Sequence, residues 1–177
     1  MLQNTSSNYG SVAKFFHWLI FFLVFLMLCV GFFMDDISDK ALRSEIVNLH
    51  KLTGLTILIL MVLRLLWTLV NPKPALPLGT PDWQKSAERT VQFLIYATLI
   101  AMPIVGWVMV VAGGHPPHIF DFMLRLPIAQ SKAVRNIGGD IHFYLAWVII
   151  LLVSIHILAA LYHHFIKKDE VLRRMMP

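Results

Sequence analysis

The sequence predicts an all-α membrane protein, a four-helix transmembrane bundle. Three observations lead there. Of the 177 residues, 58% are hydrophobic and only 14% are charged, too few charges to cover the surface of a soluble domain. The mean hydropathy is +0.70. No Asp, Glu, Lys or Arg lies between Lys14 and Asp35, between Arg89 and Asp121, or between Asp140 and Lys167. Each gap accommodates a spanning helix of about 20 residues.

The elements follow in chain order. Residues 1–10 are a polar, loose lead. The first helix, about 14–34, ends in "GFFMDD" without the small-residue site of a cleaved signal peptide, so it reads as a retained span. The second, about 45–70, carries Lys51 and Arg64 inside an otherwise apolar run. "NPKPALPLGTPD" cannot continue a helix and is a linker. The third, about 90–112, contains Pro103 and Gly106, which permit a kink. The longest connection, "GGHPPHIFDFMLRLPIAQSKAVRNIGGD", follows. Its Ile119, Phe120, Phe122, Met123 and Leu124 are apolar enough to fold back onto the bundle. The fourth helix, about 139–166, leads to the tail "KKDEVLRRMMP". The apolar runs are continuous where a β-barrel would alternate. No repeat appears, and residues 1–177 read as one transmembrane domain.

Charge sets the sidedness. The net charge of +5 is distributed as a membrane topology and not as a nucleic-acid surface. Nine basic and four acidic residues fall on the side of the two termini, and six of each on the other side. Lys and Arg collect on the cytoplasmic side, so both termini are expected there, with lipid and not nucleic acid as the partner. The single cysteine, Cys29, excludes an internal disulfide, and no CxxCH is present for covalent haem.

Polar side chains within a membrane are expensive and usually functional. Four histidines lie within the helices: His17, His50, His142 and His156. His142 and His156 are 14 positions apart. That interval is about 21 Å of rise with a residual rotation of about 40°, so they share one face at two depths. Two stacked cofactors would require this, and neutral imidazole is a common axial ligand of haem iron. Each haem then needs a second histidine. His50 matches His142 in depth from the outer helix ends, and His17 matches His156. Measured from the inner ends, His163 suits His17 better, but it would stretch the separation from His142 to about 31 Å. Interhelical hydrogen bonding is the bland alternative for a single membrane histidine. Zinc is disfavoured, because ligands about 21 Å apart cannot share an ion.

The stretches "FFHWLI", "HKLTGLTILILMVLRLLW" and "AMPIVGW", the His142–His156 spacing and the tail "HHFIKKDEVLRRMMP" together resemble the bacterial cytochrome b561 family. The resemblance covers nearly the whole chain. It implies a multi-pass dihaem b-type cytochrome of the bacterial inner membrane, with two haem b. His17 and His156 would be iron ligands of the cytoplasmic-side haem, and His50 and His142 those of the periplasmic-side haem. It further implies an activity like the family's superoxide oxidase, which passes electrons from superoxide outside to ubiquinone inside.

Other residues carry two readings each. Gly54, one turn after His50, leaves room for a porphyrin face or for close helix packing. Arg64, 14 positions after His50, would bind a haem propionate or snorkel to the interface. His163, two turns after His156, would serve a quinone as proton donor or meet headgroups. Lys51 adjoins a proposed ligand, and with Arg125, Lys132 and Arg135 it could draw small anions, although the equal number of acids on that side suggests a mixed, solvated loop. Trp67, Trp83 and Trp107 suit interfacial anchoring. The rival functions are a haem-containing electron-transfer subunit serving another periplasmic redox protein, of dehydrogenase or hydrogenase type, docked on the loop with His115 and His118, and a non-catalytic membrane scaffold.

Overall fold

The computed structural model describes residues 1–77 and 79–176; Leu78 of the linker and Pro177 lie outside them. Four long helices dominate: α1 Ser11–Phe33, α2 Lys40–Val70, α3 Asp82–Ala112 and α4 Lys132–Tyr162. All four are long and apolar enough to cross a membrane. The termini and the 71–81 linker share one end of the bundle, here the termini end. The 113–131 loop lies at the other, the loop end.

Each helix starts earlier than the apolar run implies, by as much as a turn or two in α3 and α4. Charges mark where the hydrocarbon stops, whereas caps mark where the helix stops. Asp39 caps α2, its Oδ1 accepting from the N–H groups of Ala41 (2.8 Å) and Leu42 (3.0 Å). Ser131 caps α4 by accepting from Val134 N–H at 3.3 Å. Pro81 precedes α3, and its fixed φ suits a helix entry. A helix of 31 residues exceeds the hydrocarbon, because it reaches about 46 Å against a core of about 30 Å. Polar end turns therefore project beyond it.

Packing is sequential: α1 lies on α2, α2 on α3 and α3 on α4. In contrast, α4 makes almost no close backbone approach to α1 or α2 among the described residues. The buried centre is small, with Ile20, Ile57, Met61, Leu99 and Ile149 in one cluster. Ile149 falls seven positions from both His142 and His156, so this apolar cluster separates the two histidine levels. Along the spans the outer surface is largely apolar, with Phe25 62% and Leu151 60% exposed. A surface of that kind suits lipid and not water.

The loop end carries a two-residue hairpin, His118–Ile119 with Phe122–Met123, turning at Phe120 (φ 51°). The loop does fold onto the bundle, but not through the apolar side chains the sequence suggests. Ile119, Phe120, Phe122 and Met123 are exposed. Side-chain-to-backbone bonds hold the loop instead. The buried Asn48 exchanges two bonds with the His118 backbone (2.9 and 3.1 Å), and the Trp107 indole donates to Leu124 O at 2.9 Å. A two-residue hairpin has too few positions to bury one face while its backbone is pinned on the other.

At the termini end three segments knit together. Asn4 donates to Pro72 O (3.0 Å), Ala75 N–H to Ser6 O (3.1 Å), Arg174 to Ala75 O (2.6 Å) and the Trp18 indole to Met175 O (2.9 Å). The lead at 1–10 is thus folded and not loose. It is compact enough that a Cβ at Gly10 would lie 2.3 Å from Leu2 O. Tyr9 is half-buried there. Burial raises its phenol above the ordinary value, Glu88 adds to the rise, and Arg64 and Arg174 oppose it.

Candidate haem sites

The open side of α4 is spanned by histidines at two levels. Near the termini end, His17 of α1 faces His156 of α4 with ring centres 6.1 Å apart. Near the loop end, His50 of α2 faces His142 of α4 at 6.3 Å. A ring-to-ring hydrogen bond would bring such centres to about 5 Å. Two imidazoles on opposite sides of one metal ion, each with a bond of about 2 Å and about 1.1 Å more to the ring centre, stand about 6 Å apart. Both pairs have the second spacing.

The surroundings differ between the levels. Nδ1 of His50 and Nδ1 of His142 are buried without a hydrogen-bond partner among the described residues. Glycines make room for both rings. A Cβ at Gly106 would come within 3.0 Å of Cε1 and 3.2 Å of Nδ1 of His142, and one at Gly31 within 3.3 Å of Cε1 of His50. Gly31 escaped the sequence reading, yet it follows His17 by 14 positions, the interval that relates His142 to His156. Gly54 is less constrained. Its Cβ would meet Met27 and Pro103 at 3.7 and 3.9 Å, an ordinary packing distance between α1 and α3.

At the termini level, Arg64 lies 3.0 Å from Nδ1 of His17, with its guanidinium over the Tyr96 ring at 5.7 Å. Trp67 turns its indole N–H into the protein, where it finds no partner among the described residues, whereas Trp83 is exposed as an interfacial anchor would be. His163 stands at the end of α4, with Nδ1 2.5 Å from Oδ2 of Asp169. Asp169 also escaped the sequence reading. Burial pushes its carboxyl up, but the His163 hydrogen bond, the Val171 N–H and the charges of His163 and Arg174 outweigh this and hold it below the ordinary carboxylate value.

At the loop end, an open cavity of about 1320 Å³ lies above His50 and His142. Lys40, Arg43, Lys51, Arg125 and Arg135 line it, against Asp140 as the one acid among the described lining residues. Lys132 is not part of the lining. Asp35 holds Arg43 at 2.5 Å, and Lys51 donates to His115 O at 3.0 Å. The even acid–base count of this side conceals the clustering, because the other acids lie outside the cavity. No group of three or more His, Cys, Asp or Glu that could hold a metal ion occurs among the described residues.

Residues 8–177 match the protein family described as Prokaryotic cytochrome b561. The chain belongs to the cytochrome b561 family. Among curated proteins it is 34% identical over 176 residues to "Cytochrome b561 homolog 2" of Escherichia coli (strain K12), covering 98% of this chain and 93% of that one. It is 26% identical over 175 residues to "Cytochrome b561 homolog 1" of the same organism, covering 97% and 98%. A third relative, "Probable superoxide oxidase CybB" of Yersinia pestis, is 26% identical over 161 residues, covering 91% of each. This cytochrome b561 is a multi-pass membrane protein of redox electron transfer, and the cofactor of its family is b-type haem. The paired imidazoles, the open side of α4 and the glycines beside His50 and His142 fit such a group.

Proposed function

We propose that this protein carries two b haems, on His17 with His156 and on His50 with His142, and moves electrons across the bacterial inner membrane from superoxide to ubiquinone. The observation that supports this most is the repeated facing pair of histidines at two depths on one open side. The termini end would face the cytoplasm, where the basic excess lies.

Bound haem supplies one-electron transfer; the side chains do the rest. Neutral imidazoles would hold the groups, with His142 and His156 about 21 Å of rise apart along α4. With its other nitrogen on iron, Nδ1 of His17 would bear a proton. Arg64 can only donate, so its guanidinium would then turn to a propionate carboxylate. Lys51 and the neighbouring cations of the loop-end cavity would concentrate a small anion next to His50. The name of the Yersinia pestis relative points to superoxide as that anion. His163 would pass a proton to the quinone at the termini end.

The test is quinone reduction by the isolated haem-loaded protein in a superoxide-generating system. Reduction that superoxide dismutase abolishes supports the reading. Haem-loaded protein that superoxide cannot reduce, but that co-purifies with a redox partner able to reduce it, would replace the donor and make this chain that partner's electron-transfer subunit.

A further inference from the structure

Helix α4 does not end by fraying. At His163–Lys167 it widens into a π turn, and Lys168 then takes a left-handed conformation (φ 55°). A wide turn closed by a left-handed residue is a common way for a helix to end, and here it has a specific consequence. A left-handed non-glycine residue costs on the order of 1 kcal/mol or more. The distortion brings Asp169 back over the helix end. Its N–H donates to His163 O at 3.2 Å, its Oδ2 meets Nδ1 of His163 at 2.5 Å, and its Oδ1 accepts from Val171 N–H at 3.0 Å. The two side chains are only 18% and 20% exposed. An ordinary surface ion pair has none of this support. The adjacent acid, Glu170, pairs with Arg173 instead.

We infer that Asp169 is a positioning residue for proton delivery: it fixes the ring orientation of His163, which hands the proton to the quinone. This rests on the proposed function above. Held through Nδ1–H, His163 keeps Nε2 for exchange with the acceptor. The overall step balances. One quinone takes two electrons, arriving singly from the His17–His156 level, and two protons from cytoplasmic water. For each proton an imidazolium N–H bond breaks, an O–H bond forms on a quinone oxygen, and His163 is then reprotonated. The groups around the pair are Arg174 on the tail, whose charge acts on Asp169, and Tyr162 of α4, edge-on to His163 at 5.9 Å between ring centres. Lys14 of α1 is engaged with the same tail at Met176 O (2.5 Å). Among the described residues, no second carboxylate pairs with His163.

The experiment uses full-length, haem-loaded protein reduced anaerobically and mixed with a short-chain ubiquinone over a range of quinone concentrations. Asp169→Asn keeps an acceptor for Nδ1–H but replaces a charge-assisted bond by a weaker neutral one that holds the ring less firmly. The maximal rate of reoxidation should fall at least tenfold below wild type while the half-saturating quinone concentration stays unchanged. Haem content and visible spectrum should stay unchanged. Asp169→Glu should restore the rate, and His163→Gln should slow reoxidation at least as much as Asp169→Asn. An Asp169→Asn protein with wild-type rates overturns the inference. So does one slowed only through a higher half-saturating quinone concentration and not rescued by Asp169→Glu, which would make Asp169 a structural staple. Failure of the underlying reading looks different: wild type would lack haem, or its reduced haem would not react with quinone at all.

Discussion

Replacing Gly106 by alanine tests the fit of the loop-end haem site with one methyl group. The added Cβ would lie 3.0 Å from Cε1 and 3.2 Å from Nδ1 of His142. Carbon atoms in contact prefer about 3.5–4.0 Å, so the ring must retreat by roughly 0.5 Å. Metal–ligand distances hold within about 0.2 Å, so such a retreat strains the coordination bond or the helix. Overpacking of this kind costs about 1–3 kcal/mol, equivalent to haem binding about 5- to 150-fold weaker at that level. Gly54→Ala is the internal control, because its Cβ would find Met27 and Pro103 at 3.7 and 3.9 Å, distances that need no movement. Haem titration of the two purified variants, followed by reduced-minus-oxidised spectra, reads the difference. Gly106→Ala should lose affinity for one haem, the one also lost in His142→Ala, while Gly54→Ala keeps both. Undiminished binding in Gly106→Ala, or loss in Gly54→Ala instead, would refute the assignment of the ring and its neighbours.

Further outcomes follow from other contacts. Lys51→Glu should slow reduction by superoxide by about tenfold or more and weaken its salt dependence, because it reverses a cation beside His50; stopped-flow rates at two ionic strengths check this. Asn48→Ala removes both bonds to the His118 backbone. Leaving buried polar groups unpaired costs about 1–3 kcal/mol, so hydrogen exchange across 113–125 should accelerate by about 5- to 150-fold. Acid should release the tail late. The Asp169 carboxyl is held below its ordinary value, so its contribution is complete above about pH 3.9 and disappears only as pH falls through the lower folded value. Trp18, whose indole donates to Met175 O, should therefore report no change in fluorescence between about pH 7 and pH 5. Loss of the Trp18 signal already between about pH 5 and pH 4 would contradict the lowered carboxyl.

The sequence revealed much of this because membrane physics is written in long-range patterns. Charge-free runs located three of the four helices, and an apolar run interrupted only by Lys51 and Arg64 located α2. The 14-position interval gave the stacked levels, and the same interval, applied to His17, would have found Gly31. Helix ends were less legible, since Lys14, Arg89 and Asp140 mark the hydrocarbon boundary while Asp39, Pro81 and Ser131 mark the starts of α2, α3 and α4. Asp169 was hidden for a different reason. Its approach to His163 depends on a π turn and a left-handed lysine, neither of which has a residue-level signature. The loop cavity was obscured by counting charges per side, where Asp36, Glu45 and Asp121 cancel cations they do not approach.

The most direct test of the account is haem stoichiometry in the purified protein, beside single alanine variants of the four histidines. The account predicts two b haems per chain, with His17→Ala and His156→Ala losing one spectral component and His50→Ala and His142→Ala losing the other. A colourless wild type despite ample haem supply, or His142→Ala and His156→Ala losing the same component, would contradict it.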